Sequence, residues 1–272
     1  MMSKITQEQR NRYADKVKEY KAVIDSILAK EQSFLSLLKQ PGGQGPGYVR
    51  VKLAREMLAL TSYQVLINTL SVSLLGVKNE DSLAEARKSI VRGIKYLEDI
   101  VSGYVDAPFS EYEKNLEAIS EISYDERYAL LRKIGFAIRE IEEGYGANSK
   151  WKWSFVEIWA KLATVTKNSL DLKRAYQDLD LTSPSRIVVL SYLAFVKKLL
   201  QTTADRYREK YEVSSMKMDD FKSAILFLGA LRRIHVVFGD RAEADELKKK
   251  IEIWSGKLES DLKKRDEESK QR

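Results

Sequence analysis

Residues 53–77 read LAREMLALTSYQVLINTLSVSLLGV, and no charge falls between Glu56 and Lys78. On a helix the apolar side chains of this run point every way. Leu53, Met57, Leu60, Ile67 and Leu74 share one side, Leu58, Val65 and Val72 another, Leu66 and Leu70 a third. A helix apolar all round is either a buried core helix or a membrane span, and twenty-one uncharged residues are long enough to cross a bilayer. Thr61, Ser62, Gln64, Asn68, Thr69, Ser71 and Ser73 thin the apolar density, and amides inside a bilayer are costly without partners. The stretch is therefore expected to be the central helix of a soluble bundle, enclosed by its neighbours' side chains, with no membrane partner.

Upstream, Tyr13, Val17, Tyr20, Ile24, Ile27, Phe34 and Leu38 follow alternating steps of four and three, with Glu31 as the one polar interruption. That is a heptad seam and predicts a long helix over residues 6–39. It either docks on its own core or acts as an arm, residues 1–40, that meets a partner or a second copy. Then comes PGGQGPG, residues 41–47, with two of the four prolines and four of the thirteen glycines. Such a run predicts a hinge over 41–48 that is neither helix nor strand. It lacks the Lys and Ser/Thr that a phosphate-cradling loop needs after its last glycine.

Downstream, Gly76 is placed to cap the central helix. Asp81 or Ser82 opens the next one, with a core stripe of Leu83, Ala86, Ile90, Ile94, Leu97 and Val101. Ser110 with Glu113 and Ser123 with Glu126 form capping-box patterns, the second helix ending at Gly144. Trp151, Phe155, Ile158 and Leu162 stand at helical spacing, and a short helix is expected around 169–179. Ser183-Pro184 predicts the start of a long helix towards Tyr211. Asp219 or Asp220 opens another, and Asp240 caps the last, whose seam is Ala244, Leu247, Ile251, Trp254 and Leu258. The tail 266–272 is polar and expected to fray.

No stretch alternates with period two. The fold expected is all-α, about ten helices in a bundle or a short helical-repeat solenoid around the apolar helix near 50–77, with one helical domain over 49–265. Leu228, Leu231, Gly239 and Ala244 sit where a tetratricopeptide unit puts its first-helix leucines, its turn and its second-helix small residue. The match resembles that family over this one unit. Arg232 departs from it, and no 34-residue register recurs elsewhere.

Composition narrows the functions. Cysteine is absent, so there is no disulfide framework, thiolate nucleophile or zinc finger. The N-terminal MMSKITQEQRNRYADK has no signal-peptide shape, and a cytoplasmic location is expected. The net charge is +7, with residues 109–149 at −4 and residues 150–215 at +5. The single histidine, His235, has no second histidine or cysteine to form a metal or nucleophile site, and reads as a helix-end residue favoured by the dipole. Glu113, Glu117 and Glu121 share a helix face that looks towards water. No cofactor is expected.

A nucleic-acid surface is one alternative. Lys197, Lys198, Arg206, Arg208 and Lys210 lie on one helix with Tyr207 and Tyr211, followed by Arg232, Arg233 and Lys248 to Lys250. Asp205, Glu209 and Glu212 are threaded through the same turns and are placed to pair with these bases. An all-α enzyme with a carboxylate or arginine site is a second alternative. The reading carried forward is a non-enzymatic interaction or scaffold protein that holds a protein or peptide partner in a helix groove or by its N-terminal helix. The residues expected to make the contact are Tyr13, Tyr20, Trp151, Trp153, Arg206, Tyr207, Lys210 and Tyr211, Trp153 being expected to stand exposed.

Overall fold

The computed structural model describes residues 5–40 and 45–270. Among these residues every regular element is helical. In chain order the α-helices are α1 Gln7–Leu38, α2 Pro46–Leu75, α3 Glu80–Val101, α4 Phe109–Glu117, α5 Tyr124–Tyr145, α6 Lys152–Asn168, α7 Leu172–Gln177, α8 Arg186–Lys210, α9 Met218–Val237 and α10 Arg241–Lys270. A single π-helical turn, Tyr211–Ser215, follows α8. The chain forms two compact units. Unit 1 comprises residues 1–103 and 110–158; unit 2 comprises residues 104–109 and 159–272.

Unit 1 is assembled on α2, which packs against α1, α3 and α5. Helix α3 buries the whole expected stripe from Leu83 to Val101. Full burial of each large apolar side chain in that stripe contributes about 2–3 kcal/mol. Gly93 lets α3 approach closely: a Cβ there would lie 3.0 Å from Met57 Cβ. Helix α1 opens with the capping box Thr6–Gln9 and lies along α2. Its seam residue Ile27 packs with Met57 and Leu60, flanked by Ile24, Leu28, Ala59, Tyr63 and Tyr96. Glu31, the polar interruption, is buried, accepts the Tyr96 hydroxyl at 2.7 Å and pairs with the Arg92 guanidinium at 3.1 Å. Helix α5 opens with the capping box Ser123–Glu126 and meets α2 through Arg55 and Glu126, 3.3 Å apart.

Unit 2 is organised by the α8–α9–α10 packing. Tyr211 stacks on Phe221 with ring centroids 4.8 Å apart, and Phe221 meets Trp254 at 5.9 Å. The α10 seam buries Ala244, Leu247 and Trp254 and half-buries Ile251 and Leu258. Residues 162–170, where α6 ends, are all buried.

Several boundaries differ from expectation. Residues 41–44 of the expected hinge lie outside the described residues, but Gly45 caps α2 while Pro46 and Gly47 are already helical. Proline's missing N–H costs nothing in a first helical turn. Asn79, not Asp81 or Ser82, caps α3, its side chain accepting from Ser82 N. Phe109 opens α4, so Ser110 falls inside the first turn. Helix α5 runs past Gly144 to Tyr145, with Gly146 at its cap. Helix α8 starts at Arg186, two residues beyond Pro184. The described part of the polar tail continues α10 through Lys270. The helical segment expected as one domain is divided between the two units, and α1 belongs to unit 1.

Candidate functional site

The largest departure concerns α2 itself, which is not enclosed on all sides. The buried arc holds Leu53, Ala54, Met57, Leu60, Thr61, Gln64, Ile67, Asn68 and Ser71. Its polar members, Thr61, Gln64, Asn68 and Ser71, are four of the seven amide and aliphatic-hydroxyl side chains of the stretch. Asn68 accepts from Asn79 N at 2.9 Å, and Thr61 donates to Met57 O at 2.7 Å. On the outer arc Leu66 is 41% and Val72 46% exposed, with Ser62, Thr69 and Ser73 also exposed and Leu58 and Val65 half-buried. The helix is inverted along its second half, with amides inward and aliphatic side chains outward.

That outer arc carries no charge. Its three hydroxyls are bonded to the helix's own backbone: Ser62 Oγ donates to Leu58 O at 3.0 Å, Thr69 Oγ1 to Val65 O at 3.1 Å, and Ser73 Oγ to Leu70 O at 3.1 Å. Their donor hydrogens are used, so an apolar surface can cover the arc without leaving a donor unpaired. Helix α1 covers one flank of α2, from Lys30 beside Glu56 through the Tyr20–Tyr63 ring pair at 5.7 Å. Helix α5 covers the other, from Glu126 at Arg55 to Gly144 beside Asn68. The outer arc between them is a helix-length apolar strip.

The residues expected to bind a partner are engaged within their own units. Tyr13 Oη accepts from Asn79 Nδ2 at 3.0 Å, and Tyr20 pairs with Tyr63, so both seam tyrosines dock α1 on unit 1. Trp151 lies under the Arg87 guanidinium at 3.9 Å and beside Tyr145 at 6.1 Å. Trp153 is half-buried rather than exposed, with Lys152 Nζ 4.5 Å from its ring centroid. In unit 2, Arg206 sits over Trp159 at 5.3 Å, Tyr207 stacks on Phe227 at 5.9 Å, and Lys210 pairs with Asp220 at 2.9 Å. Tyr211 is buried and donates to Asp261 at 2.7 Å; burial, then that hydrogen bond, pushes its phenol up to about 12. The basic helix is likewise occupied by carboxylates, as in Arg208–Glu212 at 2.9 Å and Lys250–Asp205 at 3.2 Å.

Two titratable sites in unit 2 lie in polar surroundings. His235 Nδ1 is 3.1 Å from Asp240 Oδ2, which also pairs with Lys197. Burial first, then Lys197, lowers the imidazole's pKa, opposite to the direction expected from the helix dipole. Lys167 is buried at the end of α6 and donates to Val105 O at 3.0 Å and Asn168 Oδ1 at 2.9 Å. Asn168 Nδ2 in turn donates to Tyr104 O at 3.1 Å. Burial, then Arg233, lowers the Lys167 amine to about 8. These bonds fasten residues 104–109 to unit 2. No run of apolar periodicity announces them, and the sequence reading missed them.

By architecture this is an all-α protein, and its α2 helix leaves an uncharged arc exposed. The chain belongs to the TP0443 family, which it matches over residues 9–262. No curated protein and no solved structure matches it.

Proposed function

We propose that this chain is a helical interaction protein whose α2 outer arc receives the apolar face of a partner's helix. The observation that carries the reading is the exposed, charge-free strip from Leu58 to Ser73 with its hydroxyls satisfied internally. An amphipathic helix laid in a groove is held by anchors at spacings of three, four and seven residues, and Leu58, Ser62, Val65, Thr69 and Val72 supply that spacing. Exposed aliphatic side chains such as Leu66 and Val72, grouped on one uncharged helix arc, are what a partner's apolar face would cover.

By length and composition α2 and the segment Arg186–Ser215 could each cross a membrane. A protein partner fits the α2 strip better than lipid. Helix α1 packs along α2 and carries the half-exposed ion pair Lys16–Glu19, and charges beside a span are costly to take into a bilayer. The paired basic residues of α8 and α10 favour protein over nucleic acid by the same accounting of free charge.

The test is site-specific photo-crosslinking in the source cells from Leu66 and Val72, with Asp125 as a control on the exposed side of α5. Discrete protein adducts from the two α2 positions and none from the control are expected. Absence of adducts from α2 overturns the reading.

A further inference from the structure

We infer that the occupant of the α2 strip is the same strip of a second copy, running antiparallel. The inference rests on the reading of α2 as an interaction surface. Leu58, Ser62, Val65, Thr69, Val72 and Gly76 follow steps of four, three, four, three and four, which is a heptad seam on the outward side of α2. Large and small residues alternate along it. In an antiparallel pair the two kinds of seam position face each other, so the register is restricted to steps of one heptad. One register keeps the whole uncharged segment in contact. It sets Leu58 against Gly76, Ser62 against Val72, and Val65 against Thr69, each in both directions across a two-fold axis near Ile67. Every layer then joins a branched apolar side chain to a small one, which lets two helices approach closely without a void. Sliding by one heptad towards the N-terminus brings Arg55 against Val72 and buries a charge.

Charge points to the same occupant. The chain's net charge of +7 opposes association of two copies. Along α2, residues 57 to 77 offer two copies a place to meet with no like charges opposed. A two-fold pairing also needs a self-complementary patch, and the large-small alternation provides one. The strip is narrow compared with a standard interface, so a reversible, micromolar dimer is expected.

The chain's lack of cysteine makes the test clean. Full-length single variants Leu58→Cys, Val65→Cys, Thr69→Cys and Gly76→Cys are oxidised alone and in pairs. The proposal expects cross-linking in the mixtures 65 with 69 and 58 with 76, and little from Leu58→Cys alone, whose two copies would lie about 27 Å apart along the axis. It also expects a dimer that forms with concentration in sedimentation and is lost, with helicity unchanged, in Thr69→Glu. A monomer at all concentrations, or strong self-cross-linking of Leu58→Cys, overturns it. If a photo-crosslinker at Leu66 instead joins a different protein, or if anionic vesicles take up the chain, the second copy is not the occupant. The first of these leaves the interaction reading standing and the second removes both.

Discussion

Lys167 is a buried amine held by two oxygens, and its titration should be visible in stability. Its ordinary value of 10.5 applies unfolded, and about 8 applies folded. Below about 8 the folded protein carries the full cost of the buried charge. Between these values the folded state sheds the proton first, so stability rises with pH and levels off above the unfolded value. The total is about 3 kcal/mol. Thermal unfolding from about pH 7.5 to about pH 9.5 should show the rise, and Lys167→Met should flatten it. Glu31 is a buried anchor of the other charge. Its carboxylate takes a hydrogen bond from Tyr96 and pairs with Arg92, so Glu31→Ala should lower stability by roughly 1–3 kcal/mol in urea unfolding. From the heptad spacing Glu31 was only an interruption; the hydroxyl and guanidinium that turn it into an anchor come from α3, sixty-odd residues away in the chain.

At the scale of elements, the contact of α2 with α3 depends on Gly93 as much as on leucines. Gly93→Val would drive a side chain into Met57 and Ala54 and is expected to cost roughly 1–3 kcal/mol, read from the circular-dichroism melt. Helix α1 tests differently. It buries Ile27 and Glu31 and half-buries the rest of its seam, so Ile27→Ala should destabilise by about 2–4 kcal/mol through the cavity left over Met57 and Leu60. An arm serving a partner alone would show no such loss. Helix existence was legible here because apolar periodicity and caps are local: the α3 stripe, the Ser123–Glu126 box and the Gly76 cap all stand where the residues put them. Boundaries at Asn79, Phe109 and Arg186 were less legible, because neighbouring polar residues compete for the same cap.

For the whole molecule, the chain's path matters more than its linear order. It leaves unit 1 at Gly103, gives residues 104–109 to unit 2, and returns at Ser110. Val105 and Ala107 are buried there, with Val105 O on Lys167 and Tyr104 O on Asn168. A fragment 159–272 therefore lacks part of its own unit and takes the Val105 carbonyl away from a buried amine. It should lose the near-ultraviolet circular-dichroism signal of Trp159 and Trp254 expected of fixed packing, and Lys167→Met should restore part of it. Charge balance and helix spacing gave no hint of this insertion, since a six-residue excursion carries no periodic pattern.

Periodicity, caps and the lack of strand patterns determined by themselves that this protein is all-α, and roughly where each helix runs, because those properties depend on neighbours within a turn or two. The uncharged stretch from Met57 to Val77 also marked α2 as the organising helix of its unit. Which arc of α2 turns inward was decided only in three dimensions. Asn68 finds a donor at Asn79, Thr61 bonds its own helix, and α1, α3 and α5 cover that side, so most of the polar residues are taken inside, with Gln64 Oε1 buried and unbonded, and an uncharged arc of aliphatic and hydroxyl side chains is left facing out. A helix apolar all round offers no preferred face to local sequence; the packing of α1, α3 and α5, with the Asn79 N–H that Asn68 accepts, chooses it.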